Sequence, residues 1–324
     1  DVDWRTEVDA ARRIRLDTET ESRTPANLKA FRSEAHGELG AAGIPSLAAK
    51  TEQLRCRWVD DKMAEAGIAR AGSLGFPDAY AFTKALGEIA VAESAGDVPI
   101  SVVRPAIIES AHSEPSPGWI RGFRMAEPVI ISYARGLLKE FPGVPEGTVD
   151  VIPVDFVVAA ICAVAARGPL GPDEGADIVQ VASGSVNPLQ YGHLVDMVRE
   201  WFTEHPIYDE MGQPIAVPQW SFPGRGRVKK QLQKAARTLD RAQKVFEVLP
   251  VRGRHAEVGV RLEEQRELIG RAEGYVDLYG AYAECEAIYG LDHLLGLWGS
   301  LDDADQAAFG FDPRVIDWST YVPD

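Results

Sequence analysis

Basic residues are scarce in this chain, which has 34 Lys and Arg against 49 Asp and Glu and a net charge of −15. Proteins that bind nucleic acid carry a basic footprint on their surface, so we expect no nucleic-acid partner. The chain has only three cysteines, Cys56, Cys162 and Cys285. Their odd number and wide spacing indicate a reducing cytoplasm without a disulfide framework. The six histidines form no cluster with them, so the sequence predicts no metal site.

Long apolar runs are also missing. A membrane-spanning helix needs about 18 or more consecutive apolar residues, and the nearest run, residues 151–166, contains Asp155. We therefore expect no membrane span. The first residue is Asp1 rather than methionine, so the lack of a signal peptide carries no information. With 45% hydrophobic residues over 324 positions, the chain can form one large domain or two ordinary ones.

The most informative stretch is residues 75–110, in which Tyr80 and Lys84 are four positions apart in a helix-forming run. Residues i and i+4 lie on one face of a helix, so the phenol and the ammonium can enter the same pocket. A cation beside a phenol favours the phenolate, and such a tyrosine can exchange a proton with a carbonyl or alcohol oxygen. The pair alone is a weak signal, because a surface lysine beside a half-buried tyrosine gives the same pattern.

A short apolar strand is predicted at residues 98–103 and ends at Arg104 and Pro105. In open α/β sheets, ligands bind beyond the carboxyl ends of the strands. This position supports a functional interpretation of the stretch independently of the tyrosine.

The flanking sequence resembles a known family. The runs GFPDAYAFTKALGE, SVVRPAIIES, GWIRGFRMAEP and VDVIPVDFVVAAI are similar, in order and spacing, to those of fatty acyl-CoA reductases. These are extended short-chain dehydrogenase/reductases of the male-sterility type, and the bacterial branch is the most similar. The resemblance implies that Tyr80 is the catalytic acid and that Lys84 is its partner and holds the ribose of the cofactor. It also implies that Pro105, Ala106, Ile107 and Ile108 lie against the nicotinamide, and that the cofactor is NADPH.

Two expected parts are not found where the family would have them. Gly37, Gly40 and Gly43 have the spacing G-x-x-G-x-x-G, but polar residues precede them instead of an apolar strand, so we interpret this match as a chance one in a loop. The true Gly-rich turn and the catalytic Ser or Thr are expected upstream of Asp1. The chain is therefore predicted to be the C-terminal part of a reductase, to bind dinucleotide poorly and to be inactive by itself.

The predicted fold class is α/β. Residues 1–184 are expected to form the C-terminal portion of a Rossmann-like extended reductase domain, with an insertion at about residues 111–147. The resemblance implies that this insertion faces the substrate, and simple packing over the sheet is the alternative. Residues 185–324 are expected to form a mainly helical substrate domain. Strands are predicted at residues 149–154 and 178–182, and a helix at 156–167 with Asp155 as its cap.

Several weaker expectations concern individual segments. Residues 1–34 are interpreted as a polar surface excursion in which Asn27 caps the next segment. A helix is predicted at 47–71 with Leu54, Trp58 and Ile68 in its buried stripe. The acidic end, residues 302–324, is interpreted as loop-like, with Phe311 and Trp318 as anchors.

Residues 225–249 carry a basic stripe opposite an apolar one, formed by Lys230, Lys234, Arg237, Arg241 and Lys244. An ordinary solvated face gives this pattern most often. The alternatives are contact with the phosphates of coenzyme A, with an acidic carrier protein, or with anionic lipid. Localisation is accordingly predicted to be cytoplasmic, with peripheral membrane contact as one option, and a second copy of the chain is also considered as a partner.

The sequence thus favours NADPH-dependent reduction of a long-chain acyl-CoA to fatty aldehyde, fatty alcohol or both. One alternative is another extended reductase or epimerase, acting on a nucleotide sugar or a ketone, which would share Tyr80 and Lys84. The other is a non-catalytic module for acyl binding or assembly.

Overall fold

A computed structural model describes most of the chain, and its residues fall into two compact units. The described residues are 2–40, 43–122, 127–136, 140, 143–171, 177–209, 211–222, 230, 233–234, 236–239 and 287–324. The N-terminal unit is Asp1–Val98 and the C-terminal unit is Pro99–Asp324. The domain boundary predicted after residue 184 stays a prediction.

Over its described residues, the N-terminal unit forms four helices: α1 Trp4–Ser22, α2 Pro25–Leu39, α3 Ile44–Ser73 and α4 Ala79–Ser94. The polar start of the chain is therefore helical, and most of its side chains lie at the surface as predicted. Thr24, not Asn27, caps α2, because its hydroxyl accepts a hydrogen bond from the Asn27 backbone N–H. The glycine motif lies only partly in a loop, since Gly37 is within α2 while Gly40 and Gly43 flank the connection to α3.

A small apolar cluster joins α2 to α3. Phe31 and Ala35 pack with Leu54, and the Phe31 ring meets Trp58 edge to face at 6.1 Å between centroids. The sequence predicts Ile68 in this stripe, but its side chain is 61% exposed. The helical spacing is right, yet Ile68 lies beyond the part of α3, Leu47 to Trp58, that packs on α2, so periodicity alone gave the wrong burial.

Within the described residues, the C-terminal unit contains short strands in three pairs. They are β1 Ser101–Pro105, β2 Ile107–Glu109, β3 Thr148–Val149, β4 Val151–Pro153, β5 Asp177–Val181 and β6 Leu189–Gln190. β1 runs parallel to β5 and β2 runs parallel to β4, while β3 is antiparallel to β6. Parallel strands joined through helices are the pattern of an α/β fold, as the sequence predicted.

β1 and β2 are successive parts of one extended segment that changes partner at Ala106. The Ala106 N–H donates to the Val181 carbonyl at 2.9 Å, and the next N–H, of Ile107, donates to the Asp150 carbonyl at 3.1 Å. The first half of this segment therefore pairs with β5 and the second half pairs with β4. Because both pairs are parallel, the carboxyl ends of their strands point in the same direction along the segment.

The described helices of this unit are α5 Glu127–Ala134, α6 Val154–Arg167, α7 Tyr191–Glu204, α8 Asp292–Gly299, α9 Asp303–Ala308 and α10 Trp318–Tyr321, with a 3-10 turn at Pro313–Val315. α6 buries one face, with Phe156, Ala160 and Val164, against the strands. The hydrophobic pattern of residues 154–167 accounts for this face.

The acidic end of the chain is ordered rather than loop-like, because it packs into the same core as the strands. Phe311 and Trp318 are buried there, as predicted. The Asn187 amide donates to the Pro313 and Ile316 carbonyls at 3.0 and 2.8 Å, and its oxygen accepts from Trp318 Nε1 at 3.0 Å. One side chain after β5 thus satisfies three polar groups of the terminal segment.

Candidate active site

The helix that carries Tyr80 begins at a well-formed cap. Asp78 Oδ1 accepts a hydrogen bond from the Ala81 N–H at 2.7 Å, which satisfies one of the free donors of the first turn. Phe82 is buried, and its ring lies 5.4 Å from that of Phe76. The inward face of α4 is thereby fixed, and Tyr80 projects from the opposite side of the first turn.

The i to i+4 spacing brings the two predicted catalytic side chains together. Lys84 Nζ lies over the Tyr80 ring, 5.7 Å from its centroid. The Tyr80 side chain is 68% exposed. In the part of the chain that the structure describes, no side chain forms a hydrogen bond with the Tyr80 hydroxyl or the Lys84 ammonium. Both groups are therefore available to a ligand.

The far end of α4 is tied to the start of the chain. Glu93 Oε2 accepts from Trp4 Nε1 at 2.9 Å and from an Arg5 guanidinium nitrogen at 2.6 Å. Sequence reasoning missed this pair, because the partners are 88 and 89 positions apart and no local pattern links them. Together with Asp78, it fixes both ends of the helix that carries Tyr80.

The second predicted cofactor segment, Pro105 to Ile108, spans the change of partner between β1 and β2. Pro105 is opposite Val181 and Ile108 is opposite Ile152, each in a parallel pair. Ile108 is 40% exposed. These residues lie at the carboxyl end of β1, where open α/β sheets bind ligands.

A second anchored feature comes directly after β2. The Asp155 carboxylate accepts the backbone N–H groups of His112, Ser113 and Glu114 at 2.9, 2.8 and 3.0 Å. The prediction that Asp155 caps α6 is wrong: Pro153 is the N-cap, without a side-chain bond. The local pattern could not reveal that the carboxylate is used 41 to 43 residues away.

The environment of Asp155 keeps it ionised. Burial acts to raise the pKa of its carboxyl group, but the backbone hydrogen bonds from His112, Glu114 and Ser113 outweigh that effect, so the pKa lies below its ordinary value of 3.8. Hydrogen bonds donated to a carboxylate favour its charged form.

The loop held by Asp155, residues 110–120, is fastened at further points. The Tyr321 hydroxyl donates to the Ser110 carbonyl at 2.7 Å, and burial raises the pKa of that phenol. The Ala111 N–H donates to the Trp119 carbonyl at 2.9 Å. Gly118 has φ +72°, and a Cβ there would collide with the Asp324 carbonyl. This 110–120 loop is therefore a fixed element at the carboxyl ends of β2 and β4.

Another carboxylate fastens the end of β5. Asp150 Oδ1 accepts from the Ser183 and Gly184 N–H groups at 2.8 and 3.1 Å, and the Ser183 hydroxyl donates to the Val151 carbonyl at 2.8 Å. A Cβ on Gly184 would lie 2.7 Å from Asp150 Oδ2, which only glycine avoids. Sequence reasoning assigned no role to these residues.

The structure describes only part of the predicted basic stripe. Lys230, Lys234 and Arg237 are exposed on helical segments, and Ala236 between them is buried. This agrees with an amphipathic helix over those positions. The other two basic residues, Arg241 and Lys244, lie outside the described residues.

Metal-binding clusters and membrane-spanning helices are both missing from the described ranges. Among these residues, no three His, Cys, Asp or Glu side chains are grouped so that they could hold a metal ion. The helices described also include none with the length and apolar character needed to cross a bilayer.

Comparison with known proteins places the chain in a class. The family described as "Male sterility protein", a nucleotide-binding family, matches residues 16–161. The parallel strands and this match together define an NAD-binding domain of the extended short-chain dehydrogenase/reductase type, so the cofactor class is a nicotinamide dinucleotide.

Curated relatives make the family more specific. Fatty acyl-CoA reductase 2, chloroplastic, of Arabidopsis thaliana is 38% identical over 159 residues, covering 48% of this chain and 26% of that protein. Fatty acyl-CoA reductase 1 of the same plant is 36% identical over 159 residues, covering 49% and 32%. The alcohol-forming fatty acyl-CoA reductase of Simmondsia chinensis is 30% identical over 294 residues, covering 84% and 56%.

The resemblance noted in the sequence is thereby confirmed, and the chain belongs to the fatty acyl-CoA reductase family. It spans between about a quarter and about half of the length of these relatives.

Proposed function

We propose that this chain carries the Tyr–Lys pair of a reductase that converts long-chain fatty acyl-CoA to fatty aldehyde, fatty alcohol or both. The main support is the pair itself: an exposed phenol and an ammonium on one helix face, 5.7 Å from ring centroid to nitrogen, in a member of the fatty acyl-CoA reductase family. The nicotinamide supplies the hydride when it is bound.

The geometry of the pair fits a nicotinamide nucleoside. Lys84 is a donor with no competing carboxylate partner among the described residues, so its ammonium is free to hydrogen-bond the ribose hydroxyls. The same ammonium lies over the Tyr80 ring, 5.7 Å from its centroid, so both side chains can meet one ligand. We assign Lys84 the roles of holding the ribose and assisting Tyr80.

Tyr80 would act differently in the two reductions. When an aldehyde is reduced, hydride reaches the carbonyl carbon and the Tyr80 hydroxyl gives its proton to the oxygen, which yields the alcohol. When a thioester is reduced, hydride adds to the carbonyl carbon and the Tyr80 hydroxyl stabilises the resulting oxyanion by hydrogen bonding. The oxyanion then collapses to the aldehyde as the carbon–sulfur bond breaks, and coenzyme A leaves as the thiolate.

We propose further roles on the basis of the family resemblance. Pro105, Ala106, Ile107 and Ile108 would contact the nicotinamide, and their place at the carboxyl end of β1 supports this assignment. NADPH is proposed as the physiological reductant. The exposed side chains of Lys230, Lys234 and Arg237 are proposed to meet the phosphates of coenzyme A.

The test is oxidation of NADPH by the full polypeptide that carries this chain, with palmitoyl-CoA or a fatty aldehyde as substrate. Tyr80→Phe removes only the hydroxyl and should lower kcat by about 100-fold or more, the usual contribution of a positioned acid. Tyr208→Phe is the matched control, because Tyr208 is 61% exposed and has no proposed role. NADH in place of NADPH tests the cofactor preference, and chromatography of the products separates aldehyde from alcohol.

The outcomes distinguish the candidate functions. Equal turnover in the Tyr80→Phe and Tyr208→Phe variants would remove Tyr80 from the chemistry. Turnover of ketones or nucleotide sugars but not of acyl-CoA would favour the other extended reductases. Binding of palmitoyl-CoA with no turnover of any of these substrates would favour a binding module.

A further inference from the structure

We propose that Trp119, presented by the 110–120 loop, contacts the acyl chain of the substrate, and that Asp155 is the residue that positions it. The inference deepens the proposed function and rests on it for the nature of the ligand. It concerns the C-terminal unit alone.

The first observation is the exposure of a large apolar side chain. Tryptophan is usually well buried, yet Trp119 is 45% exposed and the adjacent Ile120 is 38% exposed. Two neighbouring apolar side chains that remain accessible can provide the apolar lining that a ligand site needs.

The second observation is that the backbone under Trp119 is fixed. Its N–H donates to the Ser116 carbonyl at 3.1 Å, and its carbonyl accepts from the Ala111 N–H at 2.9 Å. The neighbouring Gly118 is packed against the Asp324 backbone. Exposed apolar residues on mobile loops must lose conformational freedom when they bind a ligand, but a fixed loop has already lost it.

The third observation is the place of the loop in the fold. It leaves β2 directly after Glu109 and is held by Asp155, which comes two positions after the end of β4. Both strands are parallel and their carboxyl ends meet here, which is the side on which open α/β sheets bind ligands. An apolar side chain fixed at this position suits an apolar substrate, and the proposed substrate carries a long hydrocarbon chain.

Asp155 has a positioning role in this scheme. Its carboxylate gathers three consecutive N–H groups at the start of the loop, so it sets the direction in which residues 112–114 leave the sheet. It touches no reacting atom, and its effect on the substrate would pass through Trp119.

The experiment measures binding of palmitoyl-CoA and of free coenzyme A to the full polypeptide by calorimetry. Trp119→Ala should weaken palmitoyl-CoA binding by about tenfold or more, given the apolar area that a half-exposed tryptophan can bury, and should leave coenzyme A binding within about twofold. Trp119→Phe keeps an aromatic ring and should lose less. Trp201→Ala is the matched control, because Trp201 is 39% exposed on α7.

A second readout does not depend on turnover. Palmitoyl-CoA should shift tryptophan emission of the unmodified protein to shorter wavelength, and Trp119→Phe should remove most of that shift. Asp155→Asn should raise the Kd for palmitoyl-CoA while affinity for coenzyme A is kept, which distinguishes positioning of Trp119 from general loss of structure.

The results can separate this inference from the proposed function. Equal palmitoyl-CoA affinity in the Trp119→Ala and Trp201→Ala variants would overturn the inference while leaving the reductase intact. Selective weakening by Trp119→Ala in a polypeptide that reduces no acyl-CoA would support the contact and overturn the function. Loss of coenzyme A affinity equal to the loss of palmitoyl-CoA affinity would also overturn the inference.

Discussion

Removal of the Asp155 carboxylate is the sharpest test of how the 110–120 loop is held. Asp155→Ala leaves three backbone donors without their acceptor. The His112 donor is partly buried, while those of Ser113 and Glu114 are exposed and can turn to water. A hydrogen bond to a charged group contributes about 1.5–3 kcal/mol, and each exposed one substantially less. We therefore expect the free energy of unfolding to fall by about 3 kcal/mol.

The matched control is Asp302→Ala. Asp302 also accepts a backbone N–H, that of Asp305 at 2.8 Å, at the start of the short helix α9. Loss of one exposed helix cap lowers the free energy of unfolding by about 1 kcal/mol. For a unit of this size the two variants should lower Tm by about 6–12 °C and about 2–4 °C, respectively.

Amide hydrogen exchange gives the local assay. In the unmodified protein, the amides of residues 112–114 should be protected. Asp155→Ala should raise their exchange rates by about 100-fold, the equivalent of about 3 kcal/mol, while amides in α7 change by no more than the global loss of stability requires. Unchanged protection at 112–114, or a Tm no lower than that of Asp302→Ala, would refute the reasoning.

The contribution of Asp155 also has a defined dependence on pH. Its folded pKa lies below the ordinary value of 3.8, so the stabilisation is complete above about that pH. This stabilisation is lost as the pH falls through the lower folded pKa, because the protonated carboxyl group carries no charge and accepts hydrogen bonds from the three N–H groups more weakly. Asp155→Asn should therefore unfold with a flatter dependence on pH in the acid range.

Three further predictions concern other parts of the chain. Asp78→Ala should lower kcat because the first turn of α4 loses the cap beside Tyr80, and Asp78→Ser should restore most of it; equal kcat in all three proteins would contradict this. Asn187→Ala should cost about 2–4 kcal/mol, since the Pro313 and Ile316 carbonyls lose their donor and Trp318 Nε1 keeps only its longer bond, 3.3 Å, to the backbone carbonyl of residue 187; a Tm within about 2 °C of that of the unmodified protein would show that water replaces the amide. The hydrogen bond from Arg70 is the largest cause of the lowered pKa of Glu7, which lies below its ordinary value of 4.5. The stabilisation by this pair is therefore complete above about pH 4.5 and is lost as the pH falls through the folded pKa. Arg70→Met should therefore flatten acid unfolding of the N-terminal unit, and an unchanged acid transition would exclude this pair as a source of the pH dependence.

Features that depend on neighbours in the chain could be predicted from the sequence. Tyr80 and Lys84 share a face because they are one helical turn apart, and the apolar run before Arg104 formed β1 as expected. The strands predicted at residues 149–154 and 178–182 were placed within a residue or two for the same reason, since short apolar runs between turn signals form strands, although the first of them is divided into β3 and β4.

Features that depend on distant partners could not be predicted. Asp155 has the position of a helix cap in the sequence, and only the folded chain shows that residues 112–114 compete successfully for its carboxylate. Ile68 fits the stripe of α3 yet remains exposed, because burial depends on where the neighbouring helix ends. The terminal segment is acidic enough to resemble a loop, but Asn187, more than a hundred positions earlier, fixes it.

The change of partner at Ala106 has a consequence for how this sequence can vary. Because one extended segment serves two parallel strands in turn, an insertion or deletion of one residue between 101 and 109 would misalign one of the two pairings and turn its side chains to the opposite face. Length variation among natural homologues should therefore be excluded from this segment. It should instead be frequent near Met211 and Gly212, where Gly212 has φ +74° and Met211 is 81% exposed.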